Sequence, residues 1–227
     1  MNNNRNTEQI KTVVKALGNL NNEVVFVGGS TIPFYADLPV TDIRPTDDID
    51  IIVELVTYKA RTEFDQKLLR AGFKNDTTSP VVCRYKIDGI IVDVMPTDDP
   101  SIGFKNKWYA DGFVHAVPRK ISRLHQINIL TAPYFIAAKF EAFLSRGKGD
   151  GRVSHDFEDI VFLLENRAAV WSEMKSSNEN INTYLKQQFS ALISNIHIRE
   201  WIDGHVARNI PPMTDKLLTE MRKFALS

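Results

Sequence analysis

The 227-residue sequence contains a single cysteine, no long apolar run and no net charge. Cys83 has no partner for an internal disulfide, and this cysteine usage favours a reducing compartment. We interpret Cys83 as a buried strand residue rather than a nucleophile. The first residues are polar, and no stretch is long and apolar enough to predict a membrane span. The sequence therefore predicts a cytoplasmic protein of ordinary globular composition, with 43% apolar and 25% charged residues.

The charges are unevenly distributed, although they cancel overall. Residues 31–104 hold 13 acidic and 8 basic residues, a net charge of −5, whereas residues 105–152 hold 3 acidic and 9 basic residues, a net charge of +6. An acidic segment followed by a basic one suits chemistry that involves metal ions and phosphates. The alternative is chance clustering on solvated faces.

A glycine pair follows the first predicted strand, Val24–Val27. Gly28 and Gly29 have no Cβ, so their backbone N–H groups can approach a ligand closely. Ser30 is predicted to cap the helix that follows, and Pro33 then falls in its first turn. A helix that begins behind two glycines is a candidate anion site. Taken alone, the glycine pair also fits an ordinary turn.

Three aspartates lie on predicted strands. Asp48 and Asp50 alternate with isoleucines in the strand 48–53, so both carboxylates point to one face. Asp93 is the one acid in the β-branched run 90–95, and its burial requires a partner, for which a metal ion is one candidate. The alternatives are a solvated acidic face for the first pair and a buried hydrogen-bond network for Asp93. Together with the glycine turn, the three acids predict a Mg²⁺ site beside bound phosphates.

Periodicity and turn signals predict the remaining elements. Asp88-Gly89 predicts a type I′ hairpin between strands 81–87 and 90–95. Further strands are predicted at 112–117 and 126–130. Helices are predicted at 7–20, 31–36, 58–71 and 131–143, at the segment after Ser154, and through most of the remainder to Ser227.

The order Gly-Gly-Ser, Asp-x-Asp and a later strand aspartate resembles the nucleotidyltransferase superfamily with the DNA polymerase β-like fold. The resemblance implies an α/β (α+β) protein with a mixed-sheet nucleotidyltransferase lobe at 1–130 and a helical lobe at 131–227. It implies that Asp48, Asp50 and Asp93 bind Mg²⁺, with two ions. Residues 28–30 would then hold the triphosphate of a nucleoside triphosphate.

The run from Ile127 to Gly147, with Lys139 on its helix, and the helix start His155-Asp156-Phe157-Glu158-Asp159-Ile160 resemble the AbiEii-type nucleotidyltransferases. These are toxins of bacterial toxin–antitoxin and abortive-infection systems. The family places an Arg where His155 stands, and the preceding loop is longer here. The resemblance implies that Asp156 acts as a base or positions the acceptor, with support from Asp159. It also implies tRNA or protein as acceptor and an antitoxin protein as partner.

Lys139 is a candidate site residue on physical grounds as well. At helical spacing it shares a face with Phe135, Phe143 and Arg146, so its ammonium either extends to water or points at an anion such as the triphosphate. We expect it to be unpaired within the protein, so that its removal leaves the fold intact. The alternative for Asp156 is a favourable charge at a helix N-terminus.

Lys148 and Arg152 lie in a glycine-containing loop and are open to two interpretations, contact with phosphate or RNA and ordinary solvation. Asp98 and Asp99 are interpreted as turn formers. The resulting hypothesis is a Mg²⁺-dependent transfer of a nucleoside monophosphate to an acceptor hydroxyl, by a toxin of the AbiEii type. A small-molecule nucleotidyltransferase that modifies antibiotics is the alternative enzyme, and a non-catalytic nucleotide-binding module is the alternative of another class.

Overall fold

The structure is a computed structural model that describes residues 5–40, 43–55, 57–97, 106–147, 149–206 and 213–227. The chain forms two compact units. The first comprises Met1–Phe34 and Val40–Thr131, and the second comprises Tyr35–Pro39 and Ala132–Ser227. Asp98 and Asp99, interpreted as turn formers, and Lys148, a candidate for contact with phosphate or RNA, lie outside the described residues.

A mixed seven-stranded sheet forms the centre of the first unit, within the described residues. Its strands are β1 (Val24–Val27), β2 (Asp48–Val53), β3 (Lys74–Asn75), β4 (Arg84–Ile87), β5 (Ile90–Pro96), β6 (Val117–Lys120) and β7 (Gln126–Ile129). Their order across the sheet is β3-β4-β5-β2-β1-β7-β6. Strand β2 runs antiparallel to β1 and parallel to β5. β1 and the apolar positions of β2 are buried because both strands lie in the middle of the sheet.

The helices of the first unit are α1 (Arg5–Leu17), α2 (Tyr58–Arg70) and α3 (Tyr109–Val114), with 3-10 helices at Gly18–Glu23 and Gly29–Phe34. The apolar stripe predicted for α1 is buried. The Thr57 hydroxyl accepts a hydrogen bond from the Ala60 N–H and caps α2. The chain leaves α2 through Gly72, whose φ of +92° is a conformation that favours glycine.

The predicted strand at 112–117 is wrong, because residues 109–114 form α3 and the strand begins at Val117. The cause is local hydrogen bonding at Asn106. Its side-chain oxygen accepts from the Trp108 N–H and its carbonyl accepts from the Tyr109 N–H, which turns the chain into a helix. Aromatic and β-branched residues alone favoured a strand here, and the turn chemistry outweighs that preference.

Two further boundaries differ from prediction. The segment after the glycine pair is a 3-10 helix that begins at Gly29, so Ser30 lies inside it instead of capping it. Strand β4 is shorter than the predicted 81–87, because the Ser79 hydroxyl accepts from the Val81 N–H in a turn before it. The hairpin turn itself is confirmed, since both Asp88 (φ 48°) and Gly89 (φ 78°) have positive φ, as a type I′ turn requires.

The second unit is helical in its described residues. Its helices are α4 (Ala132–Ser145), α5 (His155–Asn166), α6 (Val170–Lys175), α7 (Glu179–Ile193), α8 (Ile198–His205) and α9 (Thr214–Ala225). α4 is buried on nearly every side and contacts α5, α6 and α7, as expected of an apolar central helix. The Ser154 hydroxyl caps α5 by accepting from the Phe157 N–H, as predicted. No helix in the described ranges is long and apolar enough to cross a membrane.

The short segment Tyr35–Pro39 belongs to the second unit through specific contacts. Tyr35 packs against Phe135 with ring centroids 4.6 Å apart, and its carbonyl accepts from the Arg167 guanidinium at 3.1 Å. The Asp37 N–H donates to the Asn166 carbonyl at 3.0 Å. These contacts explain why a helical unit includes five residues that precede most of the sheet.

Candidate active site

Three carboxylates converge on one face of the sheet in the first unit. Asp48 and Asp50 both lie on β2, and Asp50 stands directly beside Asp93 in the parallel pairing of β2 with β5. One carboxylate oxygen from each lies within 4.8 Å of the others. Directly paired residues point to the same side of a sheet, so the pairing explains why these side chains meet. The structure thus brings together the three acids that the sequence predicts as a cluster.

An arginine holds one of these acids, and the sequence analysis missed it. Arg84 on β4 is paired opposite Asp93 on β5. Its Nε donates to Asp93 Oδ1 at 2.8 Å and its Nη2 donates to Asp93 Oδ2 at 2.7 Å. Nη2 also lies 3.5 Å from Asp48 Oδ2. The buried Asp93 therefore has a protein partner, in addition to the metal ion that the sequence offers as one candidate.

The type of the hairpin turn was sufficient to predict the pairing of Arg84 with Asp93. A two-residue type I′ turn at Asp88-Gly89 sets Ile87 opposite Ile90. Counting three residues back along β4 and three forward along β5 places Arg84 opposite Asp93. Opposite charges at directly paired positions attract each other, so the register alone predicted this ion pair.

The cluster carries more negative charge than its own arginine can balance. Burial raises the pKa of Asp48 and the neighbouring Asp93 raises it further, while Arg84 opposes both effects. The pKa of Arg84 is raised above its ordinary value, chiefly by the hydrogen bonds to Asp93. Three carboxylates and one guanidinium leave the group acidic, so an additional cation would stabilise it.

Gly28 lies against one of these carboxylates. A Cβ built at Gly28 would lie 2.1 Å from Asp50 Oδ2, far inside van der Waals contact, and the residue has a φ of +73°. The Gly28 carbonyl accepts from both the N–H and the hydroxyl of Thr31, at 3.2 and 2.8 Å, which fixes the turn. Glycine is thus required here for the approach of Asp50, in addition to any phosphate contact. Ser30 is buried, with its hydroxyl 3.5 Å from the Val27 carbonyl.

A buried asparagine holds the segment that leads into β2. Asn6 on α1 is fully buried, and its side chain donates to the Arg44 carbonyl at 3.1 Å and accepts from the Thr46 N–H at 3.0 Å. The Thr46 hydroxyl donates to the Asp48 carbonyl at 3.1 Å. These contacts anchor the residues that precede Asp48, and no pattern in the sequence had indicated Asn6.

The second unit contains a separate buried cluster of charges. Lys139 on α4 lies 3.0 Å from Asp156 Oδ1 and 2.5 Å from Asp159 Oδ2, both on α5. Arg146 donates to both oxygens of Asp156, each at 2.8 Å. The expectation of an unpaired Lys139 is therefore wrong, because two carboxylates one helical turn apart on α5 face its ammonium group.

The charges in this cluster stabilise one another. Burial alone would lower the pKa of Lys139, but Asp159 and Asp156 together raise it above its ordinary value. Burial would raise the pKa of Asp156, and the hydrogen bonds from Arg146 together with the charge of Lys139 lower it instead. Both groups are therefore charged at neutral pH. A carboxylate whose pKa is lowered by three hydrogen bonds is a weak proton acceptor.

The protein was compared with known families, proteins and structures. No protein-family model matches the chain, and no curated protein sequence matches it. Among solved structures, it is similar to the crystal structure of an antigenic nucleotidyltransferase-like protein from Paracoccidioides brasiliensis, with a TM-score of 0.54. The match covers 91% of this chain and 95% of that chain at 12% sequence identity. The chain has a nucleotidyltransferase-like fold.

This nucleotidyltransferase-like fold confirms the predicted fold class, a mixed sheet followed by helices. It agrees with the sequence-based resemblance to the nucleotidyltransferase superfamily at the level of fold. The acid cluster of Asp48, Asp50 and Asp93 is a feature of this chain's own structure. The site roles assigned to those acids and to the glycine turn, and the AbiEii-type assignment, stay predictions.

Other candidate residues have simpler structural roles. Cys83 is buried, and burial together with the nearby Asp93 raises the pKa of its thiol to about 11, so it is a protonated thiol at neutral pH. Arg152 is exposed and pairs with Asp150 and Glu200. His155, at the position where the resembled family has Arg, is exposed with Nδ1 3.0 Å from Glu158 Oε2.

Proposed function

We propose that this protein is a Mg²⁺-dependent nucleotidyltransferase that transfers a nucleoside monophosphate from a nucleoside triphosphate to an acceptor hydroxyl. The observation that carries the proposal is the convergence of Asp48, Asp50 and Asp93 beside the Gly28 turn, in a nucleotidyltransferase-like fold. The clustering of three acids, with Asp93 buried and Asp48 and Asp50 half-buried, disfavours the alternative of a non-catalytic module, since neighbouring carboxylates repel one another without a cation to bind.

The residues of the cluster fit the ion. Mg²⁺ prefers oxygen ligands and is commonly held by one or two carboxylates together with substrate phosphates. Asp48 and Asp50 would supply those carboxylates. Each oxygen of Asp93 accepts one hydrogen bond from Arg84 and keeps a second lone pair that could face a cation. Bound Mg²⁺ would neutralise phosphate charge and stabilise the entering and leaving oxygens.

In the proposed reaction the acceptor oxygen forms a bond to the α-phosphorus as the bond to the β-phosphate oxygen breaks. Pyrophosphate leaves with the electron pair of the broken bond, and the proton of the acceptor hydroxyl passes to solvent water. Gly28, Gly29 and Ser30 are proposed to hold the triphosphate through the backbone. This chemistry depends mainly on positioning and charge stabilisation, which suits a site of carboxylates and backbone N–H groups.

Lys139 and Asp156 are proposed to contribute to the same reaction. The resemblance left open whether Asp156 is a base or an acceptor-positioning group. Its lowered pKa and its three hydrogen bonds from Arg146 and Lys139 support the positioning role, since a strong base needs a free and less stabilised oxygen.

The finer proposal is that the protein is a toxin of the AbiEii type. It is supported by the Lys139 helix and the Asp156–Asp159 helix start described above, whose acidic and basic groups contact each other. Induced expression in bacterial cells should arrest growth, and the Asp50→Asn variant at equal protein level should not. Normal growth with the active protein would reject the toxin role while leaving the enzymatic proposal open to its own test.

The enzymatic proposal is tested by incubating the purified protein with each α-³²P-labelled nucleoside triphosphate, Mg²⁺ and either total RNA or cell lysate. We expect one macromolecular fraction to be labelled, and the label to be lost when Mg²⁺ is chelated. A label on small molecules alone would favour the antibiotic-modifying type of enzyme. No label on any fraction, with all four nucleotides, would contradict the proposal.

A further inference from the structure

The hairpin formed by β6 and β7 lacks acidic residues altogether. Residues 112–140 contain no Asp or Glu, although the chain as a whole has as many acids as bases. Arg119, Lys120 and Arg123 fall within residues 117–125, which we call the basic hairpin. Three positive charges and no negative charge within nine residues create a positive electrostatic potential around the basic hairpin.

The basic hairpin forms one edge of the sheet. β6 is the last strand in the sheet order and pairs with β7 on one side, with Lys120 opposite Gln126. Its residues are largely exposed. A sheet edge with projecting cations is accessible to an extended ligand from the side as well as from the face.

The register places one of these cations on the face of the sheet that carries the acid cluster. Val27 is paired with Asp50, so both point to one face. Phe26 is paired with Ile129 in a parallel ladder, so Val27 stands beside Leu130. Asn128 lies two residues before Leu130 and therefore points to the same face as Val27. Asn128 is paired with Pro118, and Lys120 lies two residues further along β6. Lys120 therefore points to the same face as Asp50.

The cations of the basic hairpin are available for an external anion. Among the described residues, no ion pair involves Arg119, Lys120 or Arg123. In the same unit Lys67 is paired with Glu23 and Lys86 with Asp76, so these two lysines already have a protein anion.

The tip of the hairpin is held in one shape. The Ser122 hydroxyl accepts from the N–H groups of Leu124 and His125, and the Ile121 N–H donates to the His125 carbonyl at 3.0 Å. Leu124 is 88% exposed at this tip. A rigid loop loses little conformational entropy on binding, and an exposed apolar side chain there can pack against a nucleobase.

We propose that the basic hairpin docks the acceptor of the reaction and that this acceptor is an RNA. The inference rests on the proposed function, since an acceptor exists only if transfer occurs. Strand spacings place Lys120 roughly 20 Å from Asp50, four residues along the strands and three strands across. A small molecule cannot reach both places, whereas a polynucleotide carries a charge at every phosphate over that distance.

Binding of RNA is measured by the fluorescence anisotropy of a labelled 20-nucleotide single-stranded RNA, with unfractionated tRNA as competitor, between 50 and 200 mM salt. For the double variant Lys120→Gln/Arg123→Gln we expect the Kd to rise at least tenfold at about 50 mM salt. The slope of log K against log salt should become shallower by about 1.4, since each lost phosphate contact contributes about 0.7 for a single strand.

The matched control is Lys15→Gln/Lys74→Gln, which removes the same charge from exposed sites in the same unit. Its Kd should stay within about twofold of the wild-type value. Equal weakening by both double variants would assign binding to net charge and overturn the proposal. The absence of RNA binding by the wild type would overturn it as well, and label on protein alone would indicate a protein acceptor.

Failure of the docking proposal can be distinguished from failure of the enzymatic proposal. If labelled nucleotide is still transferred to RNA by the Lys120→Gln/Arg123→Gln variant at the wild-type rate, the docking proposal fails and the enzymatic proposal stands. If the wild type binds RNA through the hairpin but Mg²⁺ and nucleotides yield no transfer, the enzymatic proposal fails, and the docking role in that reaction fails with it.

Discussion

Single residues decide how the two charged clusters are held. Gly28 has a positive φ and lies against the carboxylate of Asp50, so both its backbone conformation and the space around it require glycine. Lys139 is buried between two aspartates, so its charge is matched inside the protein. Each residue gives a prediction that is tested against a matched control variant.

Gly28→Ala should displace Asp50 and destabilise the first unit. The added Cβ would meet Asp50 Oδ2, and a non-glycine residue at positive φ costs about 1–2 kcal/mol in addition. Gly18→Ala is the control, because Gly18 also has a positive φ (54°) but nothing lies within 4 Å of a Cβ there. We expect the melting temperature to fall in both variants, further in Gly28→Ala, and transferase activity to fall in Gly28→Ala alone. Equal melting temperatures and activities in the two variants would mean that the Asp50 contact is unimportant.

Lys139→Met should destabilise the protein by about 3–5 kcal/mol, because it leaves the buried Asp156 and Asp159 without their shared ammonium. Chemical denaturation measures the free energy of unfolding. Lys216→Met on the exposed side of α9 is the control, and its effect should stay within about 0.5 kcal/mol. A Lys139→Met protein as stable as the control would restore the original expectation of an unpaired lysine.

At the scale of elements, paired strands set the geometry of the acid cluster. The β4–β5 hairpin places Arg84 opposite Asp93, and the pairing of β5 with β2 places Asp93 beside Asp50. Much of this could be predicted, because the type I′ turn fixes one register and alternation fixes which side chains share a face. The parallel pairing of β2 with β5 could not, since it depends on the whole sheet and leaves no local pattern.

Other elements show why sequence alone was insufficient. α3 forms where aromatic and β-branched residues favoured a strand, because hydrogen bonds at Asn106 begin a helix. The burial of Asn6 depends on a segment about 40 residues further along the chain, which no window of local sequence contains. A contact between separate helices likewise accounts for the missed pairing of Lys139 with Asp156.

The β4–β5 hairpin gives a prediction about Mg²⁺. Arg84→Gln should lower the melting temperature in the absence of divalent ions, because Asp93 loses its charged partner. Addition of Mg²⁺ should raise the melting temperature more in this variant than in the wild type, since the cluster then lacks a competing cation. Lys86→Gln, which removes the same charge from an exposed site on β4, should show the wild-type Mg²⁺ response. Equal responses in the two variants would place the Mg²⁺ site away from Asp93.

At the scale of the whole molecule, the fold class was predictable from sequence because its signature is an order of elements. A strand, a glycine turn and two strands with aspartates precede a run of helices, and the structure has this order with a nucleotidyltransferase-like fold. The distribution of charge is equally global: the acidic segment contains the three clustered aspartates, and the basic segment contains the basic hairpin. This separation is consistent with a metal-binding site and an anion-binding surface in one protein.

The most direct test of the central claim is the rate of Mg²⁺-dependent transfer of label from an α-³²P nucleoside triphosphate by wild type, Asp50→Asn and Asp47→Asn. Asp47 is an exposed neighbour outside the acid cluster, so its variant removes the same charge from the same segment. We expect Asp50→Asn to lose at least about 100-fold in rate, the typical effect of removing one group that stabilises transition-state charge. Asp47→Asn should stay within about threefold of wild type. An Asp50→Asn protein that transfers label as fast as the Asp47→Asn control would contradict the assignment of the acid cluster as the active site.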